Sequence, residues 1–220
     1  MRRSTTLLLF IVCIGAATFV GTVANEVKRE REYGINRHKR QVFKEYYATV
    51  SGTDKVKYIF NTSVDEDWKK LFVEATELWE HGTCLYFEEL KEEPEKFSEF
   101  EGIFVTMDED YGYCNTANMG RRHIIFLENS CGYAGGVAHE IGHALGLPHS
   151  QNRRDRNNYI NINETFFNVS FEAMIDEEHP DFNETMKMKL FDLYKQQYEE
   201  MNETEEANYN IPYDLGSLMQ

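Results

Sequence analysis

Hydrophobic and polar positions alternate along Val56, Tyr58 and Phe60, with Lys57 and Ile59 between them, which predicts a first strand with one face turned to a core. The period then changes. Trp68, Leu71, Phe72, Ala75, Leu78 and Trp79 recur at the three- and four-residue spacing of a helix buried along one side. Ser63 and Glu66 have the spacing of a capping box at its start, and Gly82 is placed to end it. The apolar runs at 85–87, 102–106 and 124–127 predict further short strands, and a second helix is expected from Tyr133. After Pro180, the residues Met186, Leu190, Phe191, Tyr194 and Tyr198 fall on one side of an amphipathic run, read as a structural surface helix that carries no site. No internal repeat interrupts this order. It predicts an α+β chain, a mixed sheet with helices packed on it.

The first 40 residues stand outside this patterning. Met1, Arg2 and Arg3 are followed by an apolar stretch from Leu7 to Val20 and by small residues at Thr22-Val23-Ala24, the pattern of a secretory signal peptide over 1–24. The apolar run is shorter than the roughly 20 residues that span a bilayer, so no membrane association is expected after its removal. Residues 25–40 end in Arg37-His38-Lys39-Arg40, a dibasic site of the kind furin-like convertases cut, and are read as a short pro-segment before a single domain over 41–220. Removing these residues changes the charge. Of 23 Lys/Arg and 38 Asp/Glu, residues 1–40 hold eight and three, leaving 15 against 35. An acidic surface of this kind excludes nucleic acid as a partner, because phosphate binding needs a basic footprint.

A further feature fits secretion, and the cysteine count stands against it as an oddity. Asn-x-Ser/Thr acceptors occur at Asn61, Asn163, Asn168, Asn183 and Asn202. Beyond the leader the chain holds Cys84, Cys114 and Cys131, an odd number for an oxidising compartment. Cys114 and Cys131 flank a short glycine-containing segment and are the favoured pair, which leaves Cys84 over; a bond from Cys84 to either stays open at this point.

The chemistry is concentrated in one stretch. His139-Glu140-Ile141-Gly142-His143 is an HExxH sequence, and residues four apart on a helix share a face, so two imidazoles can converge on one ion. Gly146 follows three residues later and His149 three after that. Glycine can take the left-handed conformation that stops a helix sharply and lets the chain return a third ligand. Three nitrogen ligands with an open position suit catalytic Zn2+, since a structural site closes its tetrahedron with a fourth protein ligand. Glu140, beside such an ion but not bound to it, is the expected base that takes the proton of a water attacking a peptide carbonyl and returns it to the leaving amine. His38, His81, His123 and His179 have no such partners and are read as surface or structural. The strand at 124–127, just before the helix, is expected to be an exposed edge that pairs with an extended peptide.

On these motifs the chain resembles the metzincin metalloendopeptidases, and within them the astacins. Ser150-Gln151-Asn152-Arg153-Arg154-Asp155-Arg156-Asn157-Asn158-Tyr159, after the third histidine, is similar to that family's ExxRxDRDxY stretch, and Pro212-Tyr213-Asp214-Leu215-Gly216-Ser217-Leu218-Met219 to its PYDYGSVM. Gly82-Thr83-Cys84 and Gly120-Arg121 also match family positions, so the likeness runs from about Val56 to Gln220. The resemblance implies a twisted mixed sheet with two long helices in the N-terminal half, an irregular C-terminal half and a cleft between them. It implies one zinc ion on His139, His143 and His149, Met219 as the methionine turn beneath the metal, and a Cys114–Cys131 disulfide. It also implies a partner for Cys84 and a tyrosine after the methionine turn, both beyond Gln220, so that the domain as given is expected to be incomplete at its C-terminus. The spacing from His149 to Met219 is longer than the family pattern, which implies an insertion around 168–202.

The expected function is therefore a secreted, glycosylated, zinc-dependent endopeptidase acting on protein or peptide substrates and made as a zymogen. Ser150 stands where astacins commonly carry Glu and matrixins often carry Ser, so a matrixin-like endopeptidase is the alternative branch. A reading of another class is a zinc-binding secreted protein with little or no activity.

Overall fold

The structure, a computed structural model, describes residues 42–43, 55–92, 96, 99–107 and 113–220. The signal peptide and pro-segment expected over 1–40, with His38, lie outside the described residues. Among those described, no helix is long and apolar enough to cross a membrane.

Among the described residues, seven strands and four α-helices follow one another: β1 Val42–Phe43, β2 Lys55–Phe60, α1 Glu66–Gly82, β3 Tyr86–Glu89, β4 Gly102–Met107, β5 Asn115–Met119, β6 Arg122–Leu127, α2 Ala134–Ala144, α3 Glu164–Glu178, α4 Glu184–Gln196 and β7 Glu206–Ala207. β1 and β7 form a small antiparallel pair. The other five strands form one twisted mixed sheet in the order β3-β2-β4-β6-β5. β2 runs parallel to both β3 and β4, β4 runs parallel to β6, and β5 returns antiparallel to β6. The return is a two-residue turn between Met119 and Arg122, where Gly120 takes φ of +75°, a value a side chain strongly disfavours.

The core lies between this sheet and α1 and α2. Val56 and Tyr58 from β2, Ile103 and Val105 from β4, and Ile125 and Leu127 from β6 meet Phe72, Ala75 and Trp79 of α1 and Val137, Ala138 and Ile141 of α2. Burying each such aliphatic or aromatic side chain is worth about 1.5–3 kcal/mol. The predicted helical stripe is correct except at one position: the buried residues of α1 are Phe72, Ala75, Thr76 and Trp79, while Leu78 is 40% exposed. Thr76 occupies the inward position because its hydroxyl is satisfied by the Val73 carbonyl at 2.8 Å.

The predicted capping box does not form. Asp65 caps α1, its Oδ1 accepting from the amides of Asp67 and Trp68 at 2.9 Å each. Ser63 lies beyond the helix start, its Oγ 3.2 Å from Thr106 Oγ1, and Glu66 is the first helical residue, too early to reach back. Gly82 is the last residue of α1 as expected, but the stop is made by Thr83, whose hydroxyl donates to the Trp79 carbonyl at 2.6 Å.

The C-terminal region holds an element absent from the sequence reading. α3 pairs with α4 as a helical hairpin within the expected insertion. Phe167 and Phe171 of α3 meet Tyr194 and Tyr198 at ring separations of 4.8 Å for Phe167–Tyr198 and Phe171–Tyr194. Each helix is capped by an asparagine, Asn163 on the Phe166 amide and Asn183 on the Met186 amide, both at 3.0 Å. The apolar residues of α3 do not keep to one face: Phe166 and Val169 are each 62% exposed. That is why its period is not visible in the sequence.

Candidate metal and catalytic centre

α2 carries His139, Glu140 and His143, with the two histidines one turn apart on the same face. The helix is held in place by Trp79, whose Nε1 donates to the Ala138 carbonyl at 2.9 Å. It ends in a reciprocal pair of bonds, Leu147 N–H to the Gly142 carbonyl and Gly146 N–H to the His143 carbonyl, both 3.0 Å. Gly146 has φ of +88°, the left-handed geometry this ending requires. The chain turns back there and brings His149 to the other two histidines.

The three imidazoles converge. His149 Nε2 lies 3.1 Å from both His139 Nε2 and His143 Nε2. His139 Nδ1 bonds the Leu218 carbonyl at 2.8 Å and His143 Nδ1 bonds the Leu147 carbonyl at 2.9 Å. A carbonyl only accepts, so both Nδ1 atoms carry the proton and both Nε2 atoms direct lone pairs to the shared point. Burial pushes the His143 pKa down to about 3 and that of His149 to about 4, which keeps both rings neutral, as metal ligation needs. A His149 ring protonated on Nδ1 adds a third lone pair at the same point, so that one cation can accept all three. The spacing and the all-nitrogen donor set fit zinc, whose bonds to histidine are about 2.0–2.1 Å long.

Glu140 is buried, 7% exposed, and its Oε2 accepts from Thr116 Oγ1 at 2.8 Å. The same hydroxyl lies 3.0 Å from the Glu140 carbonyl oxygen. Burial raises the Glu140 pKa, opposed by the Thr116 bond and the nearby His139. Thr116 has no signature in the sequence, because β5 is a polar strand, Asn-Thr-Ala-Asn-Met, without apolar alternation.

Met219 is 4% exposed and lies against Gly142 of α2. A Cβ at position 142 would run into its sulfur, so glycine at 142 is what lets the methionine approach the helix. The turn is pinned to both ligand segments, by the bond from Leu218 to His139 and by Ser150 N–H donating to the Met219 carbonyl at 2.7 Å. Arg153 and Asp155, from the stretch after His149, form a two-bond pair at 2.8 and 2.7 Å. Cys114 and Cys131 are disulfide-bonded, and Cys84 is exposed and free. His123 is buried, and His179 stacks on Phe182. Of the glycosylation acceptors, Asn163, Asn168, Asn183 and Asn202 are exposed, whereas Asn61 is half-buried with its side chain bonded to the Ser63 amide.

Two expectations are corrected here. The strand at 124–127 is not an edge: β6 is paired on both sides, by β4 and β5, and the outer strand is β5. The cause is the two-residue hairpin at Gly120, which folds 115–119 back over it. The run from Met186 to Tyr198 is also not remote from the site. Leu190, Leu193 and Tyr194 line the same cleft of about 760 Å³ as the three histidines, Glu140 and Thr116.

The comparisons with known proteins agree with this geometry. Residues 43–193 match the Astacin peptidase family. The chain is 29% identical over 164 residues to the zinc metalloproteinase nas-36 of Brugia malayi, covering 74% of this chain and 23% of that protein. It is 28% identical over 186 residues to the zinc metalloproteinase nas-31 of Caenorhabditis elegans, covering 84% and 26%. It thus spans about a quarter of the length of these relatives. Among solved structures the fold is similar to that of the high choriolytic enzyme 1, a hatching enzyme zinc-protease from the medaka Oryzias latipes, with TM-score 0.52, 20% identity and coverage of 75% of this chain and 66% of that one. It is similar also to myroilysin, with TM-score 0.53, 15% identity and coverage of 81% and 82%. The match decides between the two branches that Ser150 had left open, and the chain belongs to the astacin family.

Proposed function

We propose that the chain is a secreted zinc-dependent endopeptidase in which His139, His143 and His149 hold the metal and Glu140 is the general base. The observation that supports this reading best is the convergence of three imidazoles beside a buried carboxylate in one cleft. A zinc ion bound there supplies Lewis acidity to an attacking water and to the scissile carbonyl. Glu140 takes the proton of that water and delivers it to the leaving amine. Its burial raises its basicity above that of an ordinary carboxylate, and Thr116 holds one of its oxygens so that the other is free for the proton. The edge strand β5 pairs with the substrate backbone and sets the scissile bond over the histidines. The Leu218 carbonyl fixes the ring of His139, and Met219 packs against Gly142 of the same helix. Residues 1–24 direct secretion, 25–40 are removed as a pro-segment, and the acceptor asparagines carry glycans.

The test is hydrolysis of a denatured protein substrate by the chain produced in a secretory host. Activity is expected to be lost on treatment with a zinc chelator and restored by zinc. Glu140→Gln is expected to lower kcat by about 10²–10⁴ with metal content unchanged. Full activity in Glu140→Gln, or activity indifferent to the chelator, would refute the reading.

A further inference from the structure

The cleft has a second wall that the mechanism does not use. Leu190, Leu193 and Tyr194 of α4 contribute an apolar and aromatic surface, and Leu193 is 51% exposed there. The segment after α4 adds Glu199 and Glu200, and Glu205 follows. This segment is fixed to the loop of the third histidine. Asn152 Nδ2 donates to the carbonyls of Gln197 and Glu199 at 2.9 and 2.7 Å, and Met201 N–H donates to the Asn152 carbonyl at 2.8 Å. The backbone that carries Glu199 and Glu200 therefore keeps its place relative to His149, three residues before Asn152.

The charge of Glu199 and Glu205 is not neutralised by an ion pair among the described residues. Among the described residues that line the cleft there is no lysine or arginine. Glu200 has a partner in Arg156, 3.5 Å away, and another in Asn157. Glu199 and Glu205 take part in none of the ion pairs among the described residues, although the nearby Arg154 pairs with Glu203 and Glu206. Glu205 accepts a backbone bond, from Asn202 N–H at 3.1 Å. A side chain matching this wall has a long aliphatic stem to lie on the leucines and Tyr194, and a cation at its tip.

We infer that the wall formed by Leu190, Leu193, Tyr194, Glu199 and Glu205 selects peptide substrates that place lysine or arginine against it and disfavours aspartate and glutamate there. The inference rests on the endopeptidase reading and names its substrate class. The excess of 20 acidic side chains beyond residue 40, 35 less 15, acts in the same direction at longer range.

The experiment uses the full chain from a secretory host and quenched peptides that share one cleavable centre. Each of the three positions on either side carries Lys, Gln or Glu in turn. At one position at least, kcat/KM for Lys is expected to exceed that for Glu by about three- to tenfold, the scale of exposed charge pairs, and the ratio is expected to shrink as salt is raised. Glu199→Lys with Glu205→Lys is expected to invert the ratio. A ratio taken within one variant is unaffected by any loss of folded protein. Glu74→Lys with Glu77→Lys, exposed on α1, makes the same change in net charge away from the cleft and is expected to keep the wild-type ratio. A ratio near one at every position, or an equal collapse in the α1 control, would overturn the inference. If no peptide is cut, the endopeptidase reading fails, and binding of the same labelled Lys and Glu peptides then decides this one: tighter binding of the Lys peptide supports it, equal binding overturns it.

Discussion

From Lys55 to Leu147 the domain is stabilised by burial, whereas from Pro148 to Gln220 it is tied together by polar side chains bonded to backbone. The first region contributes Val56, Phe72, Ile103, Val105, Ile125, Leu127, Val137 and Ile141, all with no exposed surface. In the second region, among the described residues, only Ile175, Met201, Tyr213 and Met219 are buried apolar residues. Cohesion there falls instead on Arg153 and Asn152. Arg153, 4% exposed, bonds Asp155 and the carbonyls of Ile211 and Pro212 at 2.8 and 3.3 Å, and its guanidinium lies over the Tyr213 ring at 5.4 Å. Asn152 and Arg156 tie the segment after α4 to the same short stretch. The difference shows what each region is for: a rigid half presents Glu140 and two histidines, and a stitched half brings the third histidine, the methionine turn and a cleft wall to them.

Breaking the first region should cost most. Phe72→Ala removes an aromatic ring that packs at 5.0 Å from Tyr58 and 5.4 Å from Phe60, with no exposed surface to collapse toward. The expected loss is about 3–5 kcal/mol, read as a lower urea midpoint for the whole domain. A loss below about 1 kcal/mol would mean that the core is not the main support of this half.

Arg153→Met tests the second region. It deletes the bonds to Asp155, Ile211 and Pro212 while keeping much of the volume. Asp155 is left partly solvated, with 28% of its side chain exposed, so the loss should be smaller, about 1–3 kcal/mol. The informative result is its location. Hydrogen exchange is expected to accelerate over 211–220 and around Ser150, with the sheet protected as before. Uniform acceleration across β2, β4 and β6 would show that the two regions unfold as one.

The same division explains what is legible in the sequence. The first region is governed by periodicity, so β2, β4, β6 and the buried stripe of α1 can be read from apolar spacing. The histidine set can be read because its geometry depends on one helix face and one glycine. Thr116 cannot be found that way, since a polar edge strand has no hydrophobic period, and for the same reason apolar β6 reads as the edge in place of β5. α3 escapes such a reading because its apolar residues surround the helix. α4 reads as a helix without a site because a surface facing a cleft looks in sequence like any exposed helix face. The cap of α1 is ambiguous among neighbours that both favour caps, Ser63 and Asp65; which one is used depends on where the chain leaves β2 and on the contact between Ser63 and Thr106.

Acid probes the seam between the regions, where His143 belongs to one and His149 to the other. In the folded metal-free chain burial holds their pKa values at about 3 and about 4, whereas the unfolded value is about 6.5. Between about pH 4 and 6.5 the unfolded state binds more protons, so stability rises with pH through this window and is fully present above it. Each histidine contributes up to about 1.4 kcal/mol per pH unit. The urea midpoint of the metal-free chain is expected to fall between about pH 7 and pH 5, and less so in His143→Gln. A midpoint independent of pH would show that these rings are not buried as a pair.

Helix caps give the smallest effects and the closest comparison, because the same kind of bond is made in both regions. Asp65 accepts two amide protons at the start of α1 and places a negative charge at the positive end of that helix. Asn183 accepts one at the start of α4 and carries no charge. Asp65→Ala should cost about 1 kcal/mol, and because α1 is part of the buried core the cost should appear in the midpoint of the whole domain. Ser63→Ala should cost less, since Ser63 caps nothing. Asn183→Ala loses a bond of similar kind, but α4 packs chiefly on α3 and the segment after it is joined to the rest through Asn152 and Arg156, so its effect should appear as faster hydrogen exchange within 164–196 and leave the sheet unchanged. If Asn183→Ala moves the global midpoint as far as Asp65→Ala does, the hairpin is part of the cooperative core and the division between a buried half and a stitched half is wrong at that element.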